Sequence, residues 1–431
     1  MRAVAGEGTG GGGDGGGRGA GSSGPARALV FLAHNRGLAL VCGAEALLSL
    51  GDNVAFIAIS WLVLKLTGLS LAMAGILVCM TLPGLVLLSV GGLASDRLAR
   101  RAVMVSALLV KAPFYLAAAI AVLAGRQAMG WVFALALAHG VCNAFYLPAS
   151  RALIADMVPP AGLMRANSLL EVAKGTMSPL GSLLGGALVG TLGTGSAFLL
   201  DGVALACAAA LLALLPPARR AAEAARARRP GLLAQMREGL ACAGRDIRLV
   251  LLFLLMALCN FSLGGPVDAV LPRLAQEVLG SGPEGYAGLY SALGFGSLGA
   301  ALGLSAVGQR VRRRGLVALF SVTVMGLGVA LLPVSGSVAA GVALMAVVGV
   351  TVVVVRVAAV TFIQTLVDEG LRGRVLGLMY TAAVTLSPAA YPAFAALSDA
   401  LSPSLAFVAG GAIMTLYGLG GLAVPAIRRL D

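Results

Sequence analysis

The chain has 431 residues, of which 59% are hydrophobic and 11% charged, and its formal net charge is +13. Soluble domains carry about 25% charged residues, so this chain lacks the polar surface that water requires and is predicted to lie in a bilayer. Its basic residues are scattered between apolar stretches, which argues against a nucleic-acid-binding domain.

The first 27 residues are mostly glycine, with some serine, alanine and arginine. Such a segment has little apolar surface to bury, so we expect a disordered tail. No apolar core precedes a small-residue cleavage site, and the sequence therefore does not predict a signal peptide here.

Twelve apolar runs follow, each near the roughly 20 residues that a helix needs to cross the hydrocarbon core. They are continuous and do not alternate, which excludes a β-barrel and predicts an all-α integral membrane protein. The predicted spans are 39–64, 70–94, 102–124, 128–150, 168–190, 196–216, 248–270, 285–307, 316–333, 337–364, 375–396 and 404–427.

The distribution of basic residues predicts the orientation. With the N-terminus inside, 25 of the 31 Lys and Arg residues fall in cytoplasmic segments and only Lys65, Arg126 and Arg273 fall outside. By the positive-inside rule this bias predicts an even number of spans and cytoplasmic termini. The preference for arginine over lysine suggests a GC-rich bacterial genome, so we expect a bacterial plasma (inner) membrane protein.

The spans form two groups of nearly equal length, separated by a basic stretch. We expect a tail at 1–27, an N-terminal six-helix half at 28–216, a cytoplasmic linker at 217–247 and a C-terminal half at 248–431. Equal halves joined by such a linker indicate an internal repeat.

The turn between spans 2 and 3 is unusually charged. Its sequence is GGLASDRLARR, and the charged positions stand in a pattern with one glycine: Gly92, Asp96, Arg97, Arg100 and Arg101. An aspartate at the membrane surface can accept hydrogen bonds from an opposing helix N-terminus or an arginine. The matching turn of the second half reads SAVGQRVRRRG and holds Gln309, Arg310, Arg313 and Arg314.

This loop resembles the signature of the major facilitator superfamily, G-x-x-x-D-R-x-G-R-R, with Ala99 where glycine is usual. The resemblance covers about residues 38–427 and implies twelve transmembrane helices in two six-helix halves, the major facilitator fold. It also implies a monomer, and a latch that stabilises one conformer of an alternating-access cycle, with Gly92 allowing close packing at a helix end. The alternative is that the arginines only fix the topology.

Further stretches resemble one branch, the macrolide-efflux and enterobactin-exporter group. They include YLPASRALIADMVPPAGLMRANSLLEV in the first half and FIQTLVDEGLRGRVLG in the second. This resemblance implies export. Two departures weaken the link to proton antiport: His139 lies where many drug antiporters carry an arginine in the fourth helix, and span 5 matches the antiporter signature only loosely, at Ser178-Pro179 and Gly185-Gly186.

Span 1 contains two acids, Glu45 and Asp52, seven residues apart and therefore on one helix face, about 10 Å apart along the axis. A charge at mid-membrane costs at least about 2.5–3.5 kcal/mol on insertion scales, so such groups are functional candidates. We interpret both as proton-coupling candidates. The alternative is a structural ion pair of either acid with Lys111 of span 3.

Other polar and aromatic side chains in the spans are candidates for lining a substrate cavity: Lys111, His139, Arg356, Asp268, Trp61, Tyr146 and Tyr380. Each has a structural alternative. Arg356 can pair with an acid, His139 can hydrogen-bond between helices, and the aromatic rings can pack. Near the inner end of span 5, Glu171 and Lys174 suggest a local pair or a cytoplasmic gate.

The sequence GFGSLG at residues 294–299 matches a dinucleotide-binding pattern, but it lies inside a span and not at a strand-turn-helix. Close helix packing is the better interpretation. The chain has no P-loop sequence and no His/Asp/Glu cluster at metal spacing, so we expect no cofactor, no metal and no enzyme activity.

These observations predict a secondary transporter that exports a hydrophobic small molecule by proton antiport. Its expected partners are that substrate, protons and the bilayer, with no nucleic acid. Two other functions remain open: a facilitator or symporter for a nutrient or lipid, and a non-transporting scaffold or receptor of the same fold.

Overall fold

A computed structural model describes residues 35–159, 162–216, 244, 246–307 and 314–422. Every regular element in these ranges is helical, as the composition predicts. The expected tail at 1–27 and most of the expected linker lie outside the described residues, so these two domain boundaries stay predictions. The second copy of the charged turn also stays a prediction, because Gln309, Arg310, Arg313 and the side chain of Arg314 lie outside the described part of the chain.

The helices follow the predicted spans closely. They are α1 Arg36–Thr67, α2 Ser70–Arg97, α3 Arg100–Leu123, α4 Met129–Met157, α5 Leu163–Leu192, α6 Thr194–Ala213, α7 Ile247–Glu277, α8 Pro283–Val307, α9 Arg314–Leu331, α10 Val338–Leu366, α11 in two segments, Glu369–Thr385 and Ser387–Ala400, and α12 Pro403–Leu422.

Ten helices in the described part of the chain are individually long and apolar enough to cross a membrane. The two others, α5 and α11, have local reasons to fall short. Helix α5 is rich in glycine and serine and carries charged residues in its inner half. Helix α11 is interrupted at Leu386, two residues before Pro388, whose missing N–H breaks the hydrogen-bond ladder.

The same helix pairs pack together in both halves. Helices α2 and α4 cross closely, as do α8 and α10; α3 packs on α6 as α9 packs on α12; and α1 packs on α5 as α7 packs on α11. This correspondence in packing agrees with the internal repeat inferred from the sequence.

Glycines make the closest crossings. Gly91 faces the Ala144 carbonyl where α2 meets α4, and Gly296 faces the Ala346 carbonyl where α8 meets α10, so that a Cβ at either glycine would collide with backbone. Gly296 belongs to the GFGSLG sequence. Its place in a helix crossing is close packing between membrane helices, as expected from its position inside a span.

The two halves meet at one end of the bundle. We call the end that carries Arg97 and Arg100 the inner end, and the opposite end the outer end. The outer segments of α7 and α11 pack against α2, and α5 packs along α8, whereas the inner segments of α7 and α11 pack against helices of their own half. At the outer end Gly186 faces Ala287 and the Pro283 carbonyl. The structure is therefore closed at its outer end.

Candidate functional site

The first polar cluster lies in the N-terminal half, on helices α1, α3 and α4. The ammonium of Lys111 donates to the Asp52 carboxylate. The Lys111 side chain is 2% exposed, whereas that of Asp52 is 30% exposed, so the acid is the member of the pair that reaches solvent. The ion pair considered for Lys111 is formed, and its partner is Asp52 rather than Glu45.

His139 completes this cluster. Its Nδ1 lies 3.7 Å from the Asp52 carboxylate, and its Nε2 shares a hydrogen bond of 2.8 Å with the Asn143 amide nitrogen. Asn143 is one turn away on the same helix. The ring is therefore held beside the ion pair from within α4.

Glu45 lies in a separate cluster closer to the inner end. It is 4% exposed and accepts hydrogen bonds from the Tyr146 hydroxyl at 3.1 Å and the Ser150 hydroxyl at 2.7 Å. The Lys174 ammonium lies 2.8 Å from its other oxygen. The expected local pair of Lys174 with Glu171 is thus wrong: α1 and α5 pack so closely that Lys174 reaches a buried acid on α1, while Glu171 is exposed.

One further buried acid of this half, Asp201, was not identified from the sequence. Asp201 on α6 is fully buried, and neither of its carboxyl oxygens has a hydrogen-bond partner among the described residues. It lies against Gly51, the neighbour of Asp52, and its charge interacts with that of Lys111. An acid within the apolar run AFLLDGVALAC is a sufficient sequence signal for such a site.

Asp268 lies in the C-terminal half, in the π-helical turn Gly265–Val270 of α7. The Tyr290 hydroxyl donates to it at 3.3 Å, and Tyr391 of α11 also hydrogen-bonds to it. The Tyr290 ring in turn contacts the Phe56 ring of α1, with 5.2 Å between their centroids. Within the described residues Asp268 has no ion pair, so aromatic rings and hydroxyls surround the acid where the two halves meet.

Three other candidates are less closely tied to these clusters. Arg356 is exposed, and no acid pairs with it in the described part of the chain, so the expected structural pair is not formed there. Tyr380 is 52% exposed. Trp61 is half-buried and packs against the hydrophobic core, which is the structural alternative given for it.

The charged turn between α2 and α3 holds its own half together. Arg100 pairs with Asp156 of α4 and donates to the Ala152 carbonyl at 2.8 Å. Arg101 donates to the carbonyls of Ala213 and Leu215 at the inner end of α6. These two arginines therefore have structural partners as well as a topological role.

Two expectations for this turn are not met in this structure. A Cβ at Gly92 would have no neighbour within 4 Å, so the close approach expected there is not formed in this structure, whereas Gly91 makes one. Asp96 is exposed, and no hydrogen bond or ion pair joins it to another described residue. Because the inner segments of α7 and α11 lie against their own half, no opposing helix end is presented to it. Arg97 is also exposed and has other interactions.

The chemistry expected of Asp96 occurs at the outer end instead. Asp399, near the end of α11, accepts hydrogen bonds from the backbone amides of Ser70 at 2.9 Å and Leu71 at 2.8 Å, which begin α2. Arg273 of α7 donates to the same carboxylate at 2.5 Å, and the Ser70 and Ser398 hydroxyls lie 3.0 Å apart. We call Asp399, Ser70, Leu71 and Arg273 the outer latch, because they join the two halves.

A separate apolar cleft lies within the C-terminal half, between α7, α9, α10 and α12. Arg248 lines it and is held by Asp246, the N-cap of α7. The hydrogen bond from the Arg248 side chain keeps the pKa of Asp246 below its ordinary value. All residues that line this cleft belong to the C-terminal half, so it does not lie between the halves.

The fold and these clusters define a membrane transporter of two pseudo-symmetric halves, with buried ionisable groups in its N-terminal half and an acid, Asp268, where the halves meet. The family model described as Major Facilitator Superfamily matches residues 41–392, and the chain belongs to that family.

The chain is similar along most of its length to known transporters. It is 27% identical over 405 residues to the multidrug efflux pump Tap of Mycolicibacterium fortuitum, covering 91% of this chain and 97% of Tap. It is 29% identical over 416 residues to the Tap pump of Mycobacterium tuberculosis, with 92% and 96% covered. An uncharacterized transporter of the same superfamily, YfiS of Bacillus subtilis, is 25% identical, with 90% and 92% covered.

Solved structures agree on the fold. A mutant of the nucleoside transporter NupG superimposes with a TM-score of 0.74 at 11% identity, covering 90% of this chain and 99% of that one. A bacterial homolog of the human lysosomal transporter Spinster, in an inward-facing and unoccupied conformation, has a TM-score of 0.65 at 15% identity, with 91% and 96% covered.

Proposed function

We propose that this transporter exports hydrophobic small molecules from the cytoplasm of a bacterium across the plasma membrane, in exchange for protons. The observation that carries the proposal is the Lys111–Asp52 pair, a buried ammonium bound to a partly exposed carboxylate at the core of one half. The similarity to pumps named for multidrug efflux supports the direction of transport.

A carboxylate beside a buried lysine has two usable states. Ionised, it pairs with the ammonium; protonated, it releases the lysine and becomes neutral, and the environment of the pair decides which state is favoured. Asp52 is the partly exposed member of the pair, so it is the group that exchanges protons with water. Each proton that enters supplies about 2.3 kcal/mol per 100 mV and about 1.4 kcal/mol per pH unit.

Alternating access requires that the two ends open in turn. The outer latch and the α5–α8 contact hold the outer end closed in this structure, while Asp96 has no partner at the inner end among the described residues. We infer that the inner charged turn engages the opposing half when the outer latch releases. The orientation with both termini in the cytoplasm follows from the basic-residue bias.

The test is efflux of a panel of dyes and antibiotics from energised cells, with and without a protonophore. Cells with the wild-type protein are compared with cells with Asp52→Asn, with an empty vector, and with Asp246→Asn as the control, since Asp246 is a partly exposed acid at the start of α7 that is bound to Arg248. We expect protonophore-sensitive efflux with wild type and Asp246→Asn, and loss of efflux with Asp52→Asn.

Other outcomes point to other functions. Protonophore-sensitive accumulation in place of efflux would indicate a symporter or facilitator. No movement of any solute by purified protein in liposomes would favour a scaffold or receptor.

A further inference from the structure

The most unusual buried group in the N-terminal half is Asp201. Its side chain is fully inaccessible, and both carboxyl oxygens are buried without a hydrogen-bond partner among the described residues. A carboxylate in such a place loses its hydration without compensation, and neutralisation by a proton removes that cost. Geometry alone therefore favours the protonated form of Asp201.

The surroundings of Asp201 support this view. Lys111 and Tyr115 face it from α3, Asp52 lies beside it on α1 next to Gly51, and His139 of α4 lies on the far side of Asp52. The charges that act on Asp201 are thus one ammonium and one carboxylate. The ammonium donates its hydrogen bond to Asp52.

One lysine is therefore shared by two acids. With Lys111 charged and Asp52 ionised, the trio is neutral only if Asp201 carries a proton. The net charge of the three side chains is also zero if Asp52 is protonated and Asp201 is ionised, with Lys111 turned towards Asp201. The two arrangements differ by the position of one proton and by the acid with which Lys111 pairs.

We propose that Asp201 holds the transported proton and exchanges it with Asp52 as Lys111 changes partner. This inference rests on the proposed function for the word "transported", but the protonation of Asp201 and its dependence on Asp52 do not require that function. When Lys111 moves from Asp52 to Asp201, the proton of Asp201 passes to Asp52, the exposed acid, which releases it to water. Asp52 then takes up another proton from water and returns it to Asp201 as Lys111 moves back.

The proposal predicts an infrared signal that does not depend on transport. Purified full-length protein in lipid is examined near pH 7 for the C=O stretching band of a protonated carboxylic acid. We expect this band in wild type and its loss in Asp201→Asn, a substitution that keeps the shape of the side chain. Asp246→Asn is the control, since it removes an acid far from the trio, and it should retain the band.

The decisive sample is Asp52→Asn. With Asp52 neutral, Lys111 is free to pair with Asp201, so we expect the Asp201 band to weaken or vanish even though Asp201 is still present. If Asp201 is only a permanently neutral structural group, the band persists in Asp52→Asn. That persistence would overturn the proposal, as would a band that is unchanged in Asp201→Asn. Thermal unfolding of each variant identifies any that fail to fold, and Asp201→Glu then serves as the second variant, in which a shifted band is expected.

Transport provides the second measurement. In Asp201→Asn we expect proton-driven efflux to fall to the level of protonophore-treated wild type, while binding of the same dye to purified protein is retained. Absence of efflux in wild type would contradict the proposed function but leave the infrared result standing. Full efflux in Asp201→Asn would overturn the role of Asp201 and leave the proposed function intact.

Discussion

The carboxylate of Asp399 accepts a hydrogen bond from the backbone amide of Ser70 at 2.9 Å. This bond joins the end of α11 in one half to the beginning of α2 in the other. The first amides of a helix have no partner within the helix and carry the positive end of its dipole, so a carboxylate is well suited to them. Arg273 holds the same carboxylate from α7. A single acid, Asp399, therefore helps to close the outer end by binding both the start of α2 and Arg273 of α7.

Removing this charge should loosen the outer end. Hydrogen bonds to a charged group contribute about 1.5–3 kcal/mol, so Asp399→Asn should raise the outward-open population about tenfold or more. Spin labels at Leu69 and Leu401, both exposed, would report a longer distance between α2 and α11. The control is Glu277→Gln, since Glu277 bonds the same arginine, Arg273, but is not part of the contact with α2. Equal distance distributions in wild type and Asp399→Asn would contradict a latch role.

The Lys111–Asp52 pair should show asymmetric mutational costs. Removing one partner of a buried ion pair typically costs about 3–5 kcal/mol because a buried charge is left uncompensated. Lys111→Met leaves two acids without their cation, whereas Asp52→Asn leaves Lys111 beside Asp201. We therefore expect Lys111→Met to lower the unfolding temperature more than Asp52→Asn does.

The double variant Asp52→Asn/Lys111→Met should recover part of the loss seen in Lys111→Met, because it removes the unpaired acid as well. Thermal unfolding of the purified proteins measures all three. Strictly additive losses would show that the two side chains are not coupled.

The helix crossings should be sensitive to a single methyl group. A Cβ at Gly296 would collide with the Ala346 carbonyl, whereas a Cβ at Gly299, on the same helix, would meet no atom within 4 Å. Overpacking typically costs about 1–3 kcal/mol. We expect Gly296→Ala to lower thermal stability and Gly299→Ala to leave it unchanged. Loss of stability in both would place the effect in α8 itself rather than in its crossing with α10.

Asp268 should distinguish charged from neutral substrates. It is an acid without an ion pair among the described residues, surrounded by Tyr290, Tyr391 and the Phe56 ring next to Tyr290. Aromatic faces and a carboxylate together favour a cationic group. We expect Asp268→Asn to weaken efflux of cationic dyes about tenfold and to affect neutral ones much less. Asp246→Asn, which removes an acid at the start of α7 outside this cluster, is the control. Equal losses for both kinds of dye would argue for a structural role of Asp268.

The candidate sites show where sequence reasoning succeeded. Asp52, Glu45 and Lys111 were identified because ionisable residues in apolar runs are costly, and all three proved to be in buried polar clusters. Asp201 carried the same signal within its own span and was missed. Pairing partners were harder to predict: Lys174 binds Glu45 rather than its neighbour Glu171 because α1 and α5 pack together.

The sequence by itself determined the membrane environment, the helix positions and the repeat of two halves. The length of each apolar stretch and the Lys and Arg content of each loop are local properties, and they decide how each segment is placed in the bilayer. Only the tertiary structure decided which acid Lys111 binds, which glycine of the Gly91-Gly92 pair packs against backbone, and that Asp399 rather than Asp96 bridges the halves in this state. These relationships join residues on different helices. They depend on the rotation of each helix about its axis and on which end of the bundle is closed. Neither property can be predicted from a single segment of the chain.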